Sequence, residues 1–468
     1  MSLLRLAPAF RPHQWALLLT VAATFFVVEH QFTMSTTSES FESTEFVEAE
    51  VDTDVAEGSS LRRVAFLFLG LVGVGVAAAS PRRLNIDHPL YALVGCLVLW
   101  TFASVVWSAD AGLTIRRLVV IGLSVAAAVG WTRSFTPRQS ATALLLVAGG
   151  YLALGVVCEL GLRTFRPWSG LYRFSGTTHP NTQGILCGLL TIGAALRMAE
   201  RPQRLRWAMV AAVALLFLYL TKSRTTLGAT LVAIGTMAAW RASGAARIVA
   251  AVAAATLLSG GLLALLVLRP GGGDSVTDAV LMGRTEEVGT LTGRLPLWEE
   301  LVGDVAARPL QGYGYGAFWT PDVLFRIAQN QGWQIPHAHS GYFEITLNLG
   351  LVGLGLVLLI GLWTAAAAAS RDWRRSLETG FPLGLVAFAI VYSLADGGFA
   401  LPTFASFALL VTALQTPALP SRRGATHNPT IPSPARNGPP RTEEPAPATV
   451  EFMLPPTASE SPVAAQHP

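Results

Sequence analysis

Long apolar runs recur along this chain, and short polar segments that carry most of its arginines separate them. A helix needs about 20 mostly apolar residues to cross the hydrocarbon core of a bilayer. Only 13% of the 468 residues are charged, whereas soluble globular proteins carry about 25%. The mean hydropathy of +0.48 likewise excludes a water-soluble globule and, for most of the length, a disordered chain. The sequence therefore predicts an all-α polytopic membrane protein with about 12 transmembrane helices, at residues 14–30, 64–80, 89–107, 113–131, 141–160, 182–199, 205–221, 226–240, 247–268, 342–369, 381–395 and 399–416.

The basic residues predict how these helices are oriented. Cytoplasmic loops of membrane proteins carry an excess of Lys and Arg. If the first segment is cytoplasmic, the inner segments hold 17 basic residues and the short outer segments hold nine. Both chain ends are therefore predicted to be cytoplasmic. The same loops account for the formal net charge of +4, so no nucleic-acid partner is predicted.

Two polar loops are predicted on the outer side. Residues 31–60 are acidic and rich in Ser and Thr. Residues 269–340 form a much longer loop, and loops of that length usually have a function. Within it, a helix is predicted to begin near Thr292–Pro296 and to end near Arg308–Pro309. The glycine-rich run 312–316 that follows is predicted to be flexible.

The end of the chain differs in composition. Residues 417–468 hold 13 of the 28 prolines and are predicted to be a disordered cytoplasmic tail. Residues 1–416, with both outer loops, then form one transmembrane domain.

Metal ligands are sparse in the sequence. Asp52-Thr53-Asp54 matches a DxD pattern that some enzymes use to hold a divalent metal, but it lies in an acidic loop where solvated carboxylates are expected. The three cysteines, Cys96, Cys158 and Cys187, lie in apolar stretches and lack the spacing of metal ligands. The sequence predicts no bound metal and no cofactor.

Two polar clusters on the outer side are candidate anion sites. Arg173 precedes Pro180-Asn181, which is placed to begin a helix, and free backbone N–H groups at a helix start favour an anion. Arg173 could instead extend to the interface, with Asn181 as a helix cap. Lys222 and Arg224 lie in a tight connection between two apolar runs, where charged groups need a partner. That partner is an external anion or the lipid interface.

A third cluster combines Arg294 with two histidines. His337 and His339 stand where the long loop meets the next apolar run. Two histidines at this spacing could share a zinc ion only in an extended segment, and no further ligand supports them. The other possibilities are a histidine at the interface without a role, a charged donor to phosphate, and a general base.

These motifs, in this order, resemble the superfamily of O-antigen ligases and polysaccharide polymerases, which are glycosyltransferases of the bacterial inner membrane. The resemblance covers about residues 60–416. It includes the stretch before Asn181, the Ser223-Arg224 turn, the loop sequence from Thr292 to Gly314, and His339-Ser340 followed after nine residues by Gly350-Leu-Val-Gly353. The last segment matches the family's His-[Asn/Ser/Gln]-x9-Gly-x-x-Gly signature.

The resemblance implies a GT-C-like fold whose active site faces the periplasm. It implies transfer of a glycan from undecaprenyl pyrophosphate, without a metal and with inversion, to lipid A–core or to a second lipid-linked glycan. His339, Arg294 and Arg224 are then the expected catalytic residues. Arg173, Asn181, Lys222 and His337 are expected to bind substrate, beside membrane lipids. A permease for an anionic or lipid-linked substrate is the main alternative, although its ionisable residues should lie near the bilayer midplane. A non-enzymatic scaffold for polysaccharide export is another.

Overall fold

A computed structural model of the chain describes residues 10–30, 60–84, 87–170, 172–199, 203–241, 294–332, 335, 337–370 and 376–419. All of them belong to one structural unit, residues 1–422. The described residues form 13 α-helices: α1 Pro12–Glu29, α2 Ser60–Ala79, α3 Pro89–Ala103, α4 Ala111–Ser134, α5 Pro137–Gly161, α6 Pro180–Arg197, α7 Arg204–Leu220, α8 Arg224–Arg241, α9 Arg294–Ala307, α10 Pro321–Gln331, α11 Gly341–Ala369, α12 Ser376–Tyr392 and α13 Phe404–Gln415.

The helices agree with the predicted polytopic membrane protein. Five stretches are long and apolar enough to cross a membrane, namely Ser60–Ala79, Pro89–Trp107, Ala111–Ser134, Pro137–Gly161 and Gly341–Ala369. Eleven of the twelve predicted apolar runs coincide with described helices. The run 247–268, most of the acidic loop 31–60, the first part of the long loop and residues 420–468 lie outside the described residues. The total of 12 spans and the division into domains therefore stay predictions.

Successive helices run in opposite directions from α1 to α8 and again from α11 to α13. At one end, Tyr91 Oη donates to Leu414 O at 2.8 Å and Gln415 Nε2 donates to Phe135 O at 3.1 Å. At the other end, Arg173 Nε donates to Thr221 O at 3.0 Å. We call the first the lower end and the second the upper end. Charged side chains concentrate at the two ends, as expected where the middle of each helix faces lipid or protein.

Small residues and aromatic rings fill the interior of the bundle. A Cβ built on Gly130 of α4 would lie 2.3 Å from Gly73 O of α2, so these two helices meet backbone to backbone. Close contact through glycine is the usual way in which membrane helices pack. Phe25, Trp131 and Phe404 are fully buried in the largest apolar cluster. This rigid bundle fixes the positions from which the upper-end loops start.

Helix α11 is broken at Gly350, and the break creates the seat for a loop. Gly350 has φ +69° and ψ −174° inside the helix, a conformation that glycine adopts without the cost other residues incur. Tyr313 N donates to Leu347 O at 2.8 Å and Gly314 N donates to Asn348 O at 3.0 Å. A Cβ at Gly350 would lie 2.0 Å from Leu310 O. The glycine pair of the signature therefore includes the residue that lets residues 309–314 insert into the helix.

This insertion corrects one prediction. The run 312–316 was expected to be flexible, but the N–H groups of Tyr313, Gly314 and Gly316 donate to α11. The glycines instead allow the loop one fixed conformation, since Gly312, Gly314 and Gly316 all have positive φ. The helix before the run, α9, begins and ends where predicted. Helix α10 was not predicted, and Arg326 ties it to α9 through Glu300 at 2.8 Å and Asp304 at 2.9 Å.

Candidate functional site

The predicted site residues all lie at the upper end of the bundle. Arg224 and Arg294 are the first residues of α8 and α9, and Asn181 is the second residue of α6. The others lie in the connections before α6, α8 and α11: Arg173, Lys222, His337 and His339. Because these helix starts and connections all lie at the upper end, side chains from distant parts of the sequence lie at the same end of the bundle.

His339 lies among other basic groups in a tight turn before α11. Its backbone is left-handed, with φ +50°. His339 N donates to His337 Nδ1 at 3.2 Å, and the two rings are 4.1 Å apart at 60°. Arg294 and His179 are close enough for their charges to act on the same imidazole. The structure therefore brings Arg294, His337 and His339 together, and it adds His179.

Burial and neighbouring basic groups favour the neutral form of the His339 imidazole. Burial, and after it the charges of His337, Arg294 and His179, together lower the pKa of His339 from 6.5 to about 3. A histidine in this setting has a lone pair available near neutral pH. In the free protein this favours a general base over a charged donor to phosphate.

His179 begins α6 and shares the same surroundings. Its Nδ1 accepts from Asn181 N at 3.2 Å, so His179 caps the helix, and the alternative in which Asn181 is the cap is wrong. Burial and, after it, the charge of Arg173 lower the pKa of His179 to about 4, although Asp396 partly offsets them. The amide of Asn181 is thus left for other contacts.

Arg173, Asn181 and Asp396 form a chain of hydrogen bonds across the upper end. Arg173 Nη2 donates to Asn181 Oδ1 at 3.1 Å, and Asn181 Nδ2 donates to Asp396 Oδ2 at 2.9 Å. Asp396 is buried, with 8% of its surface exposed, and its carboxylate also bonds the Tyr392 hydroxyl. Sequence reasoning missed Asp396. The signal was an isolated carboxylate before Gly397-Gly398, between two apolar runs.

A second missed carboxylate holds the loop that carries Arg173. Glu159 of α5 is buried at 2% exposure. It accepts from Ser175 N at 3.0 Å, Gly176 N at 2.7 Å and the Tyr172 hydroxyl at 2.5 Å. These donors flank Arg173 on both sides, so the loop that carries Arg173 is anchored to α5.

Lys222 and Arg224 have different surroundings within the same connection. Lys222 Nζ donates to the Gly170 carbonyl, so this lysine also joins two upper-end loops. Arg224 opens α8 beside the start of α6, where a Cβ on Gly184 would lie 3.0 Å from Thr226 Oγ1. Arg224 is half-buried. Its assignment to the donor, like that of Lys222, stays a prediction.

Metal ligands do not gather within the described ranges. No group of three or more His, Cys, Asp or Glu side chains there could hold a metal ion. Asp52 and Asp54 lie outside those ranges. The groups whose charges act on the imidazole of His339 are His337, Arg294 and His179, all of them basic.

Comparison with known proteins connects this geometry to a family. Residues 208–358 match a family model described as O-antigen ligase. The resemblance to the O-antigen ligase family is confirmed for these residues. The matched segment contains Arg224, Arg294, His337 and His339, whereas Arg173 and Asn181 precede it. In the structure those two residues nevertheless lie beside His179, within the same upper-end cluster.

One curated protein also resembles the chain. It is the exopolysaccharide production protein ExoQ of Rhizobium meliloti, 24% identical over 294 residues. The match covers 60% of this chain and 65% of ExoQ, so the chain spans less than two thirds of that relative.

Proposed function

We propose that this protein is a membrane glycosyltransferase that moves a glycan from undecaprenyl pyrophosphate to an acceptor hydroxyl. The observation that carries the proposal is the half-buried His339 near Arg294 and His179, with His179 in turn joined to the Arg173–Asn181–Asp396 chain through Asn181 N. An imidazole base beside fixed guanidinium groups suits a reaction in which a hydroxyl loses a proton while pyrophosphate departs.

The arginines bind the leaving group in this proposal. Arg224 and Arg294 hold the pyrophosphate, and Arg173, Lys222 and Asn181 line the surrounding surface. A guanidinium forms two parallel hydrogen bonds to phosphate oxygens, which are roughly twice as strong as neutral ones. Fixed positive charge at the position where negative charge develops stabilises the transition state without a metal.

His339 accepts the proton of the acceptor hydroxyl as its oxygen attacks the anomeric carbon. The bond between that carbon and the pyrophosphate oxygen breaks in the same step, so undecaprenyl pyrophosphate leaves with the electron pair. A single displacement inverts the anomeric centre. The acceptor is lipid A–core in a ligase or a second lipid-linked glycan in a polymerase, and the name of ExoQ favours an exopolysaccharide product.

The location of the site fits a substrate that stays in the membrane. The cluster lies at helix ends, so the sugar and pyrophosphate reach it from the bilayer surface while the polyprenyl chain remains in lipid. We place the upper end in the periplasm of the bacterial inner membrane, with 12 spans and both termini inside, from the charge count. A reporter fused within 275–290 should be active only outside the cytoplasm, and cytoplasmic activity would reverse this orientation.

The proposed activity is tested with purified protein in liposomes that contain an undecaprenyl-pyrophosphate glycan and an acceptor. We expect glycan transfer, with release of undecaprenyl pyrophosphate, to continue in excess EDTA because arginines neutralise the leaving group. Movement of intact donor across the bilayer without any transfer would identify a permease instead. Loss of transfer in EDTA and its recovery with Mg²⁺ or Mn²⁺ would contradict the arginine mechanism.

The low pKa of His339 predicts an unusual pH profile. The value of kcat/KM reports ionisation in the free enzyme, where the pKa of His339 is about 3 rather than 6.5. Between pH 7 and 5.5 we expect kcat/KM to change by less than about twofold, whereas a base of ordinary pKa would lose roughly eightfold. An acid limb near pH 6.5 would contradict a neutral, buried base.

The low pKa of His339 makes the stability of the fold depend on pH, although it leaves kcat/KM nearly independent of pH. Since the folded protein binds this proton at lower pH than the unfolded chain does, His339 destabilises the fold as pH falls from about 6.5 towards 3. Thermal stability measured alongside activity separates this loss from an effect on catalysis.

A further inference from the structure

The residue that precedes His339 is fixed at both of its backbone polar groups. Ala338 N donates to Glu344 Oε2 at 3.1 Å, and Ala338 O accepts from Trp298 Nε1 at 2.9 Å. Ala338 itself is fully buried. The peptide units on the two sides of Ala338 are therefore each held by one side chain. Glu344 of α11 holds the unit before Ala338, and Trp298 of α9 holds the unit that leads into His339.

Glu344 is surrounded by hydrogen-bond donors. Besides Ala338 N, its oxygens accept from Trp319 Nε1 at 3.0 and 3.1 Å and from Asn348 Nδ2 at 3.1 Å. Only 3% of Glu344 is exposed. A carboxylate only accepts and has two oxygens to share, so it satisfies three donors that a neutral side chain of this size could not. Its place in the first turn of α11 further favours negative charge.

The same carboxylate is linked to the glycine-rich loop. Asn348, which donates to Glu344, accepts from Gly316 N through Oδ1 at 2.9 Å. Gly316 O in turn accepts from Arg117 Nη1 of α4 at 2.6 Å. Arg117 is one of the arginines on the outer side, where the charge count makes basic residues less common. Glu344 therefore connects the turn at 337–340 directly, and the run 312–316 and α4 through Asn348.

From these contacts we infer that Glu344 is a positioning residue for His339. It holds the N–H of Ala338 and, together with Trp298 on the Ala338 carbonyl, fixes the backbone of the turn that carries the His339 imidazole, without contacting the reacting atoms itself. The left-handed φ of His339 leaves few alternatives once the preceding peptide is fixed. This inference rests on the proposed function, in which His339 is the base.

Glu344→Gln is the informative substitution because it preserves the size of the side chain. The amide keeps one acceptor and turns an NH₂ group towards donors, so at least one of the three hydrogen bonds is lost. A displacement of a catalytic group by about 1 Å can lower the rate roughly 100-fold. We expect E344Q to lower kcat by about 10- to 100-fold and to leave the KM for the lipid-linked donor within about twofold. Trp298→Phe, which removes the other hydrogen bond to Ala338, should act in the same direction.

A double-mutant cycle with His339→Ala separates positioning from a general structural role. If Glu344 acts through His339, E344Q should cause no further loss in the H339A background. The matched control is Trp131→Phe at the lower end, which removes a buried indole hydrogen bond to Ser140 Oγ at 2.6 Å. W131F should leave kcat close to that of wild type, with thermal stability recorded for every variant.

The outcomes distinguish this inference from the proposed function. An equal loss of rate from E344Q with and without His339, or a raised donor KM with unchanged kcat, would overturn the positioning role while wild-type transfer still supports the enzyme. Absence of transfer by the wild-type protein, with intact donor moved across the bilayer, would overturn the proposed function itself. A kcat loss that disappears in the H339A background supports both.

Discussion

His339→Ala is expected to lower glycan transfer by about 10²- to 10⁴-fold, which is the usual contribution of a general base. The acceptor hydroxyl is almost entirely protonated at neutral pH, so attack on the anomeric carbon requires a group that takes the proton. Because the proposed function assigns the pyrophosphate to the arginines and not to His339, donor binding should stay close to that of wild type. The measurement is the rate of transfer in liposomes, together with donor binding to purified protein.

His337→Ala is the matched control for this prediction. His337 accepts a hydrogen bond from His339 N and lies edge-on to its ring, but its imidazole is assigned to substrate binding rather than to proton transfer. We expect H337A to retain most of the maximal rate and to raise the KM for a substrate. Wild-type transfer by H339A would exclude His339 as the base, whichever result H337A gives.

The helices, and the position of the candidate site at one end of the bundle, could be predicted from the sequence because both follow from local sequence patterns. Apolar runs of membrane length gave 11 described helices nearly at their observed bounds. Arginines at the ends of these runs placed Arg224 and Arg294 at one end of the bundle. The family signature located His339, and its second element proved to be the glycine that breaks α11.

The remaining features depend on contacts between distant residues, which no local pattern contains. Asn181 and Asp396 form a hydrogen bond although they are 215 residues apart in sequence, and no local pattern near Asp396 indicates its partner. The glycine run 312–316 looks flexible by composition because glycine permits many conformations. Its fixed shape follows only from the break in α11 that receives it.

Arg294 is expected to have the second large effect, on donor affinity rather than on proton transfer. Arg294→Ala should weaken donor binding by about 2–5 kcal/mol, since it leaves a phosphate charge partly buried without its partner. That energy corresponds to roughly 30- to 5,000-fold in affinity. Arg224→Ala should behave similarly if both guanidinium groups contact one pyrophosphate. Binding of a lipid-linked donor to purified protein is measured for each variant, with transfer assayed in parallel.

Lysine substitutions at Arg294 and Arg224 test the geometry of the proposed pyrophosphate contacts separately from their charge. R294K and R224K keep the positive charge but replace a planar, bidentate group by a single ammonium on a flexible chain, so we expect most of the alanine effect to remain. Arg166, which is exposed at the same end, supplies the control: R166A should bind donor like wild type. If both lysine variants bound donor as wild type does, long-range charge alone would explain the affinity. If both alanine variants also did so, the pyrophosphate would be held elsewhere, and His339 would have to act on a donor positioned by other residues of the upper end.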